Sequence, residues 1–120
     1  MRIVVADDST VMRRIVVRTL RQAGYDCSDV IEVANGKEAL DATLNEDPDL
    51  VLSDWNMPEM TGIESLRAIR EAGSEVLFGF VTSEGSADMR AEAVAAGAAF
   101  LIAKPFTADT FRDVLDEFVA

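Results

Sequence analysis

The stretch Leu50–Gly62, LVLSDWNMPEMTG, constrains the fold of this chain more than any other. Its apolar start, residues 50–52, leads to Asp54, and turn-forming residues such as Asn56 and Pro58 follow. A short apolar run bounded by turn residues is typical of a strand buried in a parallel sheet. In open α/β sheets the chemistry gathers at the carboxyl ends of such strands. The pattern therefore predicts a buried strand that presents Asp54 at its carboxyl end.

Three other apolar runs end in polar residues in the same way. They lead into Asp7-Asp8, Thr82-Ser83 and Lys104-Pro105. Parallel strands that neighbour one another have their carboxyl ends at the same edge of the sheet. We therefore expect three carboxylates, a hydroxyl and an ammonium group to lie close together at that edge.

Strand and helix patterns alternate five times along the chain, with short connections. The predicted strands are residues 2–6, 30–34, 49–54, 76–82 and 99–103. The predicted helices begin after Ser9-Thr10, at Asn35-Gly36, at 62, after Gly85-Ser86 and at Thr107, and they end at Gly24, Asp47-Pro48, 72, Gly97 and 119.

The apolar faces of these helices follow from their spacing. In the second helix Leu44 lies on the predicted apolar face, and in the last helix Phe118 and Val119 continue that face. Glu32 interrupts the second strand, which indicates one less buried face. Alternating strands and helices favour right-handed crossovers and a parallel sheet covered on both faces, so the sequence predicts one α/β sandwich domain over residues 1–120.

Charge and composition narrow the functions that this fold could carry. The formal net charge of −11 disfavours electrostatic binding of nucleic acid or anionic membrane and favours a partner with a basic or apolar surface. Cys27 is the only cysteine, and there is no histidine, so neither an internal disulfide nor a His/Cys metal site is expected. No apolar run approaches the roughly 18 to 20 residues of a membrane span. We expect a cytoplasmic protein without a signal peptide or anchor.

Three carboxylates at one sheet edge would repel one another. Two unit charges about 4 Å apart repel by about 4 kcal/mol at an effective dielectric constant of about 20. A hard divalent cation relieves this repulsion, and an all-oxygen set from Asp7, Asp8 and Asp54 suits Mg²⁺ or Mn²⁺. The open positions of such an ion accept phosphoryl oxygens, which Lys104 and the Thr82 hydroxyl would also bind. Asp54 would then be the nucleophile in aspartyl-phosphate chemistry.

These residues resemble the signature of response-regulator receiver domains of two-component signalling. The resemblance covers nearly the whole chain, through DDSTVMRRI, DWNMPEMTG, VTSEG and AGAAFLIAKPF, and within the family it is closest in kind to the single-domain chemotaxis regulators. It implies a flavodoxin-like (βα)5 fold with a five-stranded parallel sheet in the order 2-1-3-4-5. It also implies a protein that acts by phosphorylation-dependent binding and not as a general enzyme.

The resemblance further implies roles for individual residues. Asp54 would accept a phosphoryl group from a histidine kinase or phosphotransfer protein, and Mg²⁺ would be held by Asp8, Asp54 and the Asn56 main-chain carbonyl, with Asp7 acting largely through water. Thr82 would turn inward to the phosphoryl oxygens and Lys104 would pair with them. The Lys104-Pro105 bond is expected to be cis, although only about 5% of X-Pro bonds in folded proteins are.

Three further positions bear on how such a protein switches. Asn56 and Glu84 lie where receivers tune self-dephosphorylation, and both match the type whose aspartyl phosphate is short-lived. The family's switch aromatic lies three residues before the lysine, where this chain has Leu101. Phe100 is adjacent, but strand alternation points it to the opposite face. We therefore expect the output to depend on displacement of the loop around residues 82–84.

Several alternatives stay open from the sequence alone. A Mg²⁺-dependent phosphohydrolase with an aspartyl nucleophile is the second hypothesis, although Asn56 stands where its acid/base carboxylate would be needed. A nucleotide or flavin carrier lacks its glycine-rich phosphate loop. Thr82-Ser83 could form an N-terminal cap region before the fourth helix, either alone or together with a role in the site. The arginines of the first helix could form a solvated face or a docking surface for an acidic kinase or phosphotransfer partner; they are Arg13, Arg14, Arg18 and Arg21.

The downstream partner expected for the phosphorylated protein is another protein, bound through the fourth helix, the fifth strand and the fifth helix. A flagellar motor component, an adaptor or a relay protein would fit. A monomer is expected in the absence of such a partner.

Overall fold

A computed structural model describes residues 1–119. Five parallel strands and five helices alternate along this part of the chain. The strands are β1 (Arg2–Ala6), β2 (Asp29–Val33), β3 (Leu50–Ser53), β4 (Leu77–Thr82) and β5 (Phe100–Ala103). The helices are α1 (Thr10–Gln22), α2 (Gly36–Glu46), α3 (Gly62–Glu71), α4 (Ala87–Ala96) and α5 (Ala108–Leu115).

The strand order is β2-β1-β3-β4-β5 and every pairing is parallel, which confirms the flavodoxin-like arrangement implied by the family resemblance. The central strands β1 and β3 are buried on both faces because helices cover both sides of the sheet. The edge strand β2 is less buried, as the charged Glu32 within it predicts.

Alternating residues of the strands build two apolar cores, one on each face of the sheet. On one face, α1 and α5 pack through Leu20 and Phe111 against Ile3, Val5 and their neighbours. On the other, α3 and α4 pack against Val4, Val51, Phe78, Phe80 and Leu101. Leu101 and Phe100 belong to opposite faces, as strand alternation predicts.

Side-chain caps set where the helices begin. Ser9 accepts a hydrogen bond from the Met12 N–H, and Asn35 caps α2 in the same way. Thr61 and Thr107 form reciprocal capping boxes with the residues three positions on. At α4 the cap is Ser86, so the alternative that Thr82-Ser83 forms this cap was wrong. Thr82 therefore does not cap α4, and it lies at the carboxyl end of β4.

Two predictions about helix faces were wrong. Leu44 is 48% exposed, because it lies about 100° around α2 from the buried Thr43 and so points away from the sheet. The last helix ends at Leu115 and does not continue to 119. It stops where Asp116 turns its carboxylate to the Tyr25 hydroxyl, and Phe118 is left 44% exposed beside Phe100.

The remaining differences in bounds are of one residue. The strand β2 begins and ends one residue earlier than predicted. The strand β3 is one residue shorter at each end, and β4 and β5 each begin one residue later than predicted. The helix α3 ends at Glu71, one residue early, with Ala72 as its C-cap. The Lys104-Pro105 peptide bond is cis, as the resemblance implied.

Candidate acidic site at the carboxyl edge of the sheet

Strand register brings the candidate residues to one edge. Ala6 at the end of β1 pairs with Ser53 at the end of β3, so the residues that follow them, Asp7 and Asp54, come side by side. The Asp54 N–H donates to the Ala6 carbonyl at 2.8 Å, which holds the two chain segments together just past the strands. Apolar strand positions and parallel pairing are therefore sufficient to bring these carboxylates together.

Asp7, Asp8 and Asp54 form a compact carboxylate cluster. One oxygen from each lies within 4.8 Å of the other two. Asp7 is buried, Asp54 is partly buried and Asp8 is exposed, so the cluster has a closed side and a side open to solvent. The convergence predicted from the sequence is what the structure contains. An all-oxygen cluster of this size fits a hard divalent cation better than a soft one.

Lys104 supplies the positive charge next to the cluster. Its Nζ lies 3.2 Å from Asp7 Oδ2 and 3.6 Å from Asp54 Oδ2, and its side chain is 16% exposed. The Lys104 N–H donates to the carbonyl of Thr82, the last residue of β4, at 2.8 Å. Lys104 thus offsets part of the carboxylate repulsion. One ammonium group does not balance the charge of three carboxylates, so the site stays negative.

The two inner carboxylates are also held by the main chain. Asp7 Oδ1 accepts from the Ser9 N–H at 2.9 Å, and Asp54 Oδ1 accepts from the Trp55 N–H at 2.8 Å. Burial raises the pKa of the Asp54 carboxyl above its ordinary value, and the negative charge of Asp7 adds to this rise. Lys104 and the Trp55 N–H act in the opposite direction but do not cancel it. Burial and crowding therefore make the ionised form of this carboxylate costly, and a bound cation would relieve that cost.

Thr82, Asn56 and Glu84 form the third side of the site. Thr82 is fully buried at the end of β4, and its hydroxyl lies 3.5 Å from the Glu84 N–H. The Asn56 side-chain amide donates to Glu84 Oε1 at 3.3 Å. The two residues predicted to tune dephosphorylation are therefore in contact with each other.

Leu101 takes no part in the polar cluster. It is 8% exposed and lies in the α3–α4 core, three residues before Lys104 on β5. Trp55 is 9% exposed and packs on Phe80 with ring centroids 4.7 Å apart. Next to the acidic cluster there is therefore an aromatic ring, but it is Trp55 after β3 and not a residue of β5.

Arg13 contacts the site, and the sequence analysis did not predict this contact. Its Nη1 donates to the Asp7 carbonyl at 2.6 Å, its Nε to Glu32 at 3.1 Å and its Nη2 to the Thr10 hydroxyl. It therefore braces the Asp7-Asp8 segment against β2, whereas the other arginines grouped with it are exposed; these are Arg14, Arg18 and Arg21. Its position one and a half turns after the acidic pair was the available signal.

Comparison with known proteins decides the family. A model of the response regulator receiver domain matches residues 3–116. The chain belongs to this family. This receiver domain is 39% identical over 120 residues to a CheY homolog of Campylobacter jejuni, a match that covers 98% of the chain and 91% of the relative. It is 38% identical over 121 residues to the chemotaxis protein CheY1 of Helicobacter pylori, covering 97% and 94%.

Solved structures agree with the fold. The receiver domain superposes on the chemotaxis protein CheY4 of Vibrio cholerae with a TM-score of 0.85, 33% identity and 98% coverage of both chains. It superposes on the receiver domain of NarL from Mycobacterium tuberculosis with a TM-score of 0.82, 28% identity and coverage of 96% and 93%. Such domains are signalling proteins and not general enzymes. Among residues 1–119, no helix has the length and apolar character needed to cross a bilayer.

Proposed function

We propose that residues 1–120 form one receiver domain that acts as the phosphorylation-activated response regulator of a chemotaxis phosphorelay. Asp54 accepts a phosphoryl group from the phosphohistidine of a histidine kinase or phosphotransfer protein. The observation that carries this proposal is the meeting of three carboxylates within 4.8 Å with Lys104 Nζ 3.6 Å from Asp54. The chemotaxis assignment rests on the similarity to the CheY chemotaxis proteins of Campylobacter jejuni and Helicobacter pylori.

The residues present fit a bound Mg²⁺, or Mn²⁺ in its place. Asp8 and Asp54 would be direct ligands together with the Asn56 main-chain carbonyl, and Asp7 would contribute largely through water. The exposed side of the cluster, at Asp8, leaves access for the ion and the phosphodonor. When bound, the ion neutralises the charge of the carboxylates and of the phosphoryl oxygens.

The protein's own groups carry the transfer. A carboxylate oxygen of Asp54 forms the new bond to phosphorus, while the bond from phosphorus to the donor imidazole nitrogen breaks and its electron pair stays on that nitrogen. Lys104 lies within reach of the charge that arrives on the phosphoryl oxygens, and the Thr82 hydroxyl is a further donor. Transfer of this kind is catalysed mainly by positioning and charge neutralisation.

The aspartyl phosphate should be short-lived. Hydrolysis needs a water that attacks phosphorus, and Asn56 and Glu84, which contact each other, lie two residues after Asp54 and Thr82 respectively. Both residues match the fast-resetting type of receiver. A phosphoprotein that persists for many hours at room temperature in Mg²⁺ would contradict this assignment.

The output surface proposed is the face formed by α4, β5 and α5. A surface pocket of about 220 Å³ lies between α4 and β5. It is lined largely by apolar groups, among them Val94, which is 68% exposed. With a net charge of −11, the domain favours a target with a basic or apolar surface, such as a flagellar motor component or a relay protein. We propose that it acts as a monomer in the cytoplasm.

Incubation with a small-molecule phosphodonor tests the proposal. Wild-type protein in Mg²⁺ should gain the mass of one phosphoryl group, and Asp54→Asn should gain none. Asp113→Asn removes an exposed charge from α5 and should behave as wild type. Equal phosphate uptake by wild type and Asp54→Asn would remove Asp54 from its role.

A further inference from the structure

Arg90 joins segments that are distant in the chain. It lies on the first turn of α4 and is exposed, but its guanidinium donates two hydrogen bonds to main-chain carbonyls. Nε donates to Gly85 at 3.2 Å and Nη1 donates to Leu101 at 3.1 Å. Gly85 belongs to the loop between β4 and α4, and Leu101 lies inside β5. One side chain therefore holds a loop, a helix and a strand together.

The two contacts need the shape of an arginine. A guanidinium is a rigid planar fork whose donors reach two acceptors at once, whereas a lysine ammonium is a single compact point of charge. Hydrogen bonds from a charged donor are also stronger than those between neutral groups. Arg90 can therefore transmit a displacement of one carbonyl to the other.

Gly85 leaves the room that this contact requires. A Cβ added there would lie 3.3 Å from Arg90 Nη2, a tight contact that a small shift of the guanidinium would relieve. The same Cβ would lie 3.6 Å from Ala103 Cβ and 3.7 Å from Leu101 Cδ2, which is ordinary contact. The loop thus rests directly on β5 with Arg90 closing over it.

The other end of this loop belongs to the acidic site. Glu84, next to Gly85, accepts the hydrogen bond from Asn56 at 3.3 Å, and its N–H faces the Thr82 hydroxyl. A shift of Thr82 towards a phosphoryl group would therefore move the Gly85 carbonyl to which Arg90 is bound. Residues 82–86 are the connection between Asp54 and Arg90.

We infer that Arg90 is a positioning residue that couples the β4–α4 loop to β5 and to the pocket between α4 and β5. This inference rests on the proposed function, because phosphorylation of Asp54 is what displaces the loop. The Leu101 side chain is apolar and makes no hydrogen bond to Arg90. The contact from Arg90 to β5 is instead made to the main-chain carbonyl of Leu101. Loss of Arg90 leaves the acidic residues in place but separates them from the output face.

The first experiment needs no phosphate. Amide hydrogen exchange is measured on Arg90→Met, with Arg67→Met as the control, since Arg67 also contacts α4, through Glu92 at 3.0 Å, but does not contact the loop. We expect the amides of Met89 and Lys104, whose N–H groups donate to Ser86 and Thr82 at the two ends of this loop, to exchange about fivefold faster in Arg90→Met, the effect of losing one typical hydrogen bond. Arg67→Met should leave them unchanged. Equal exchange in wild type and Arg90→Met would overturn the inference.

The second experiment measures coupling. Methyl NMR signals of Val94 and Leu101 are compared before and after treatment with a small-molecule phosphodonor and Mg²⁺, with uptake followed by intact mass. We expect Arg90→Met to take up phosphate while its Val94 response falls to less than about half that of wild type, and Arg90→Lys to behave like Arg90→Met because lysine lacks the fork.

The outcomes separate the two proposals. A full Val94 response in Arg90→Met overturns the coupling and leaves the proposed function standing. A wild-type protein that takes up no phosphate overturns the proposed function and the coupling with it, whereas the exchange comparison still decides whether Arg90 holds the loop.

Discussion

Replacing Asp54 by asparagine should stabilise the protein in the absence of metal. The substitution keeps the shape of the side chain and its acceptor for the Trp55 N–H, but it removes one of three crowded charges. Stability is therefore predicted to rise when the residue that carries the function is lost. This follows if the carboxylates are arranged for a ligand and not for the fold.

The magnitude follows from the distances. At the upper limit of 4.8 Å and an effective dielectric constant of about 20, each carboxylate pair repels by at least about 3.5 kcal/mol, so Asp7 and Asp8 together oppose Asp54 by at least about 7 kcal/mol. Lys104 at 3.6 Å returns about 4.6 kcal/mol on the same scale. Because Asp8 is exposed and screened, we expect the net gain of Asp54→Asn to be about 1–2 kcal/mol.

Urea unfolding with and without Mg²⁺ measures both parts of this prediction. In chelator Asp54→Asn should be more stable than wild type. Mg²⁺ at ten times its dissociation constant should add about 1.4 kcal/mol to wild type and much less to the variant. The control Asp113→Asn should change stability by no more than about 0.5 kcal/mol. An Asp54→Asn protein that is less stable than wild type in chelator, or that gains as much from Mg²⁺, would refute the reasoning.

Three further predictions concern the rest of the molecule. Burial and the bond to Asp116 raise the pKa of Tyr25, the only tyrosine, from 10.0 to about 12. The stability that this residue contributes below pH 10 is therefore lost as the pH rises through 12. Tyrosinate absorbance of wild type and Asp116→Asn measures the midpoint, and a higher midpoint in the variant would contradict the prediction. Lys104→Met should lower the rate of phosphoryl uptake by about a hundredfold, as loss of a charge-stabilising donor does, and an unchanged rate in a mass-detected time course would exclude the lysine from the transfer. Phe80→Ala empties a fully buried position beside Trp55 and should lower the free energy of unfolding in urea by about 3–5 kcal/mol. The fluorescence of the single tryptophan should change as well. A decrease in stability below about 1 kcal/mol would show that the ring does not support the core.

The part of the fold that was predictable is the part set by buried strands. Apolar runs that end at Asp7, Asp54 and Lys104 have one explanation in a parallel sheet, and the register of that sheet then brings the polar residues together. Capping residues such as Asn35 and Thr107 marked helix starts because their side chains bond the free N–H groups there. Local chemistry and burial agree at these positions.

The features that were missed depend on contacts distant in sequence. Asp116, which follows the last residue of α5, bonds Tyr25, 91 residues away, and helical spacing alone predicts further turns there. Arg13 was assigned to a solvated or docking face and Arg90 was not singled out, because the sequence does not show which carbonyl a long charged side chain reaches. The strand order and the roles of single site residues came from family resemblance, since periodicity does not determine which strands neighbour one another.

We propose above all that the carboxylate cluster at the sheet edge receives phosphate on Asp54 with a divalent cation present. Fragment mass spectrometry after incubation with a small-molecule phosphodonor tests this most directly, using the peptide that contains residues 50–62. We predict one phosphoryl group on Asp54 in Mg²⁺ and none in chelator. Phosphate on another residue, or equal labelling of Asp54 in chelator, would contradict the claim.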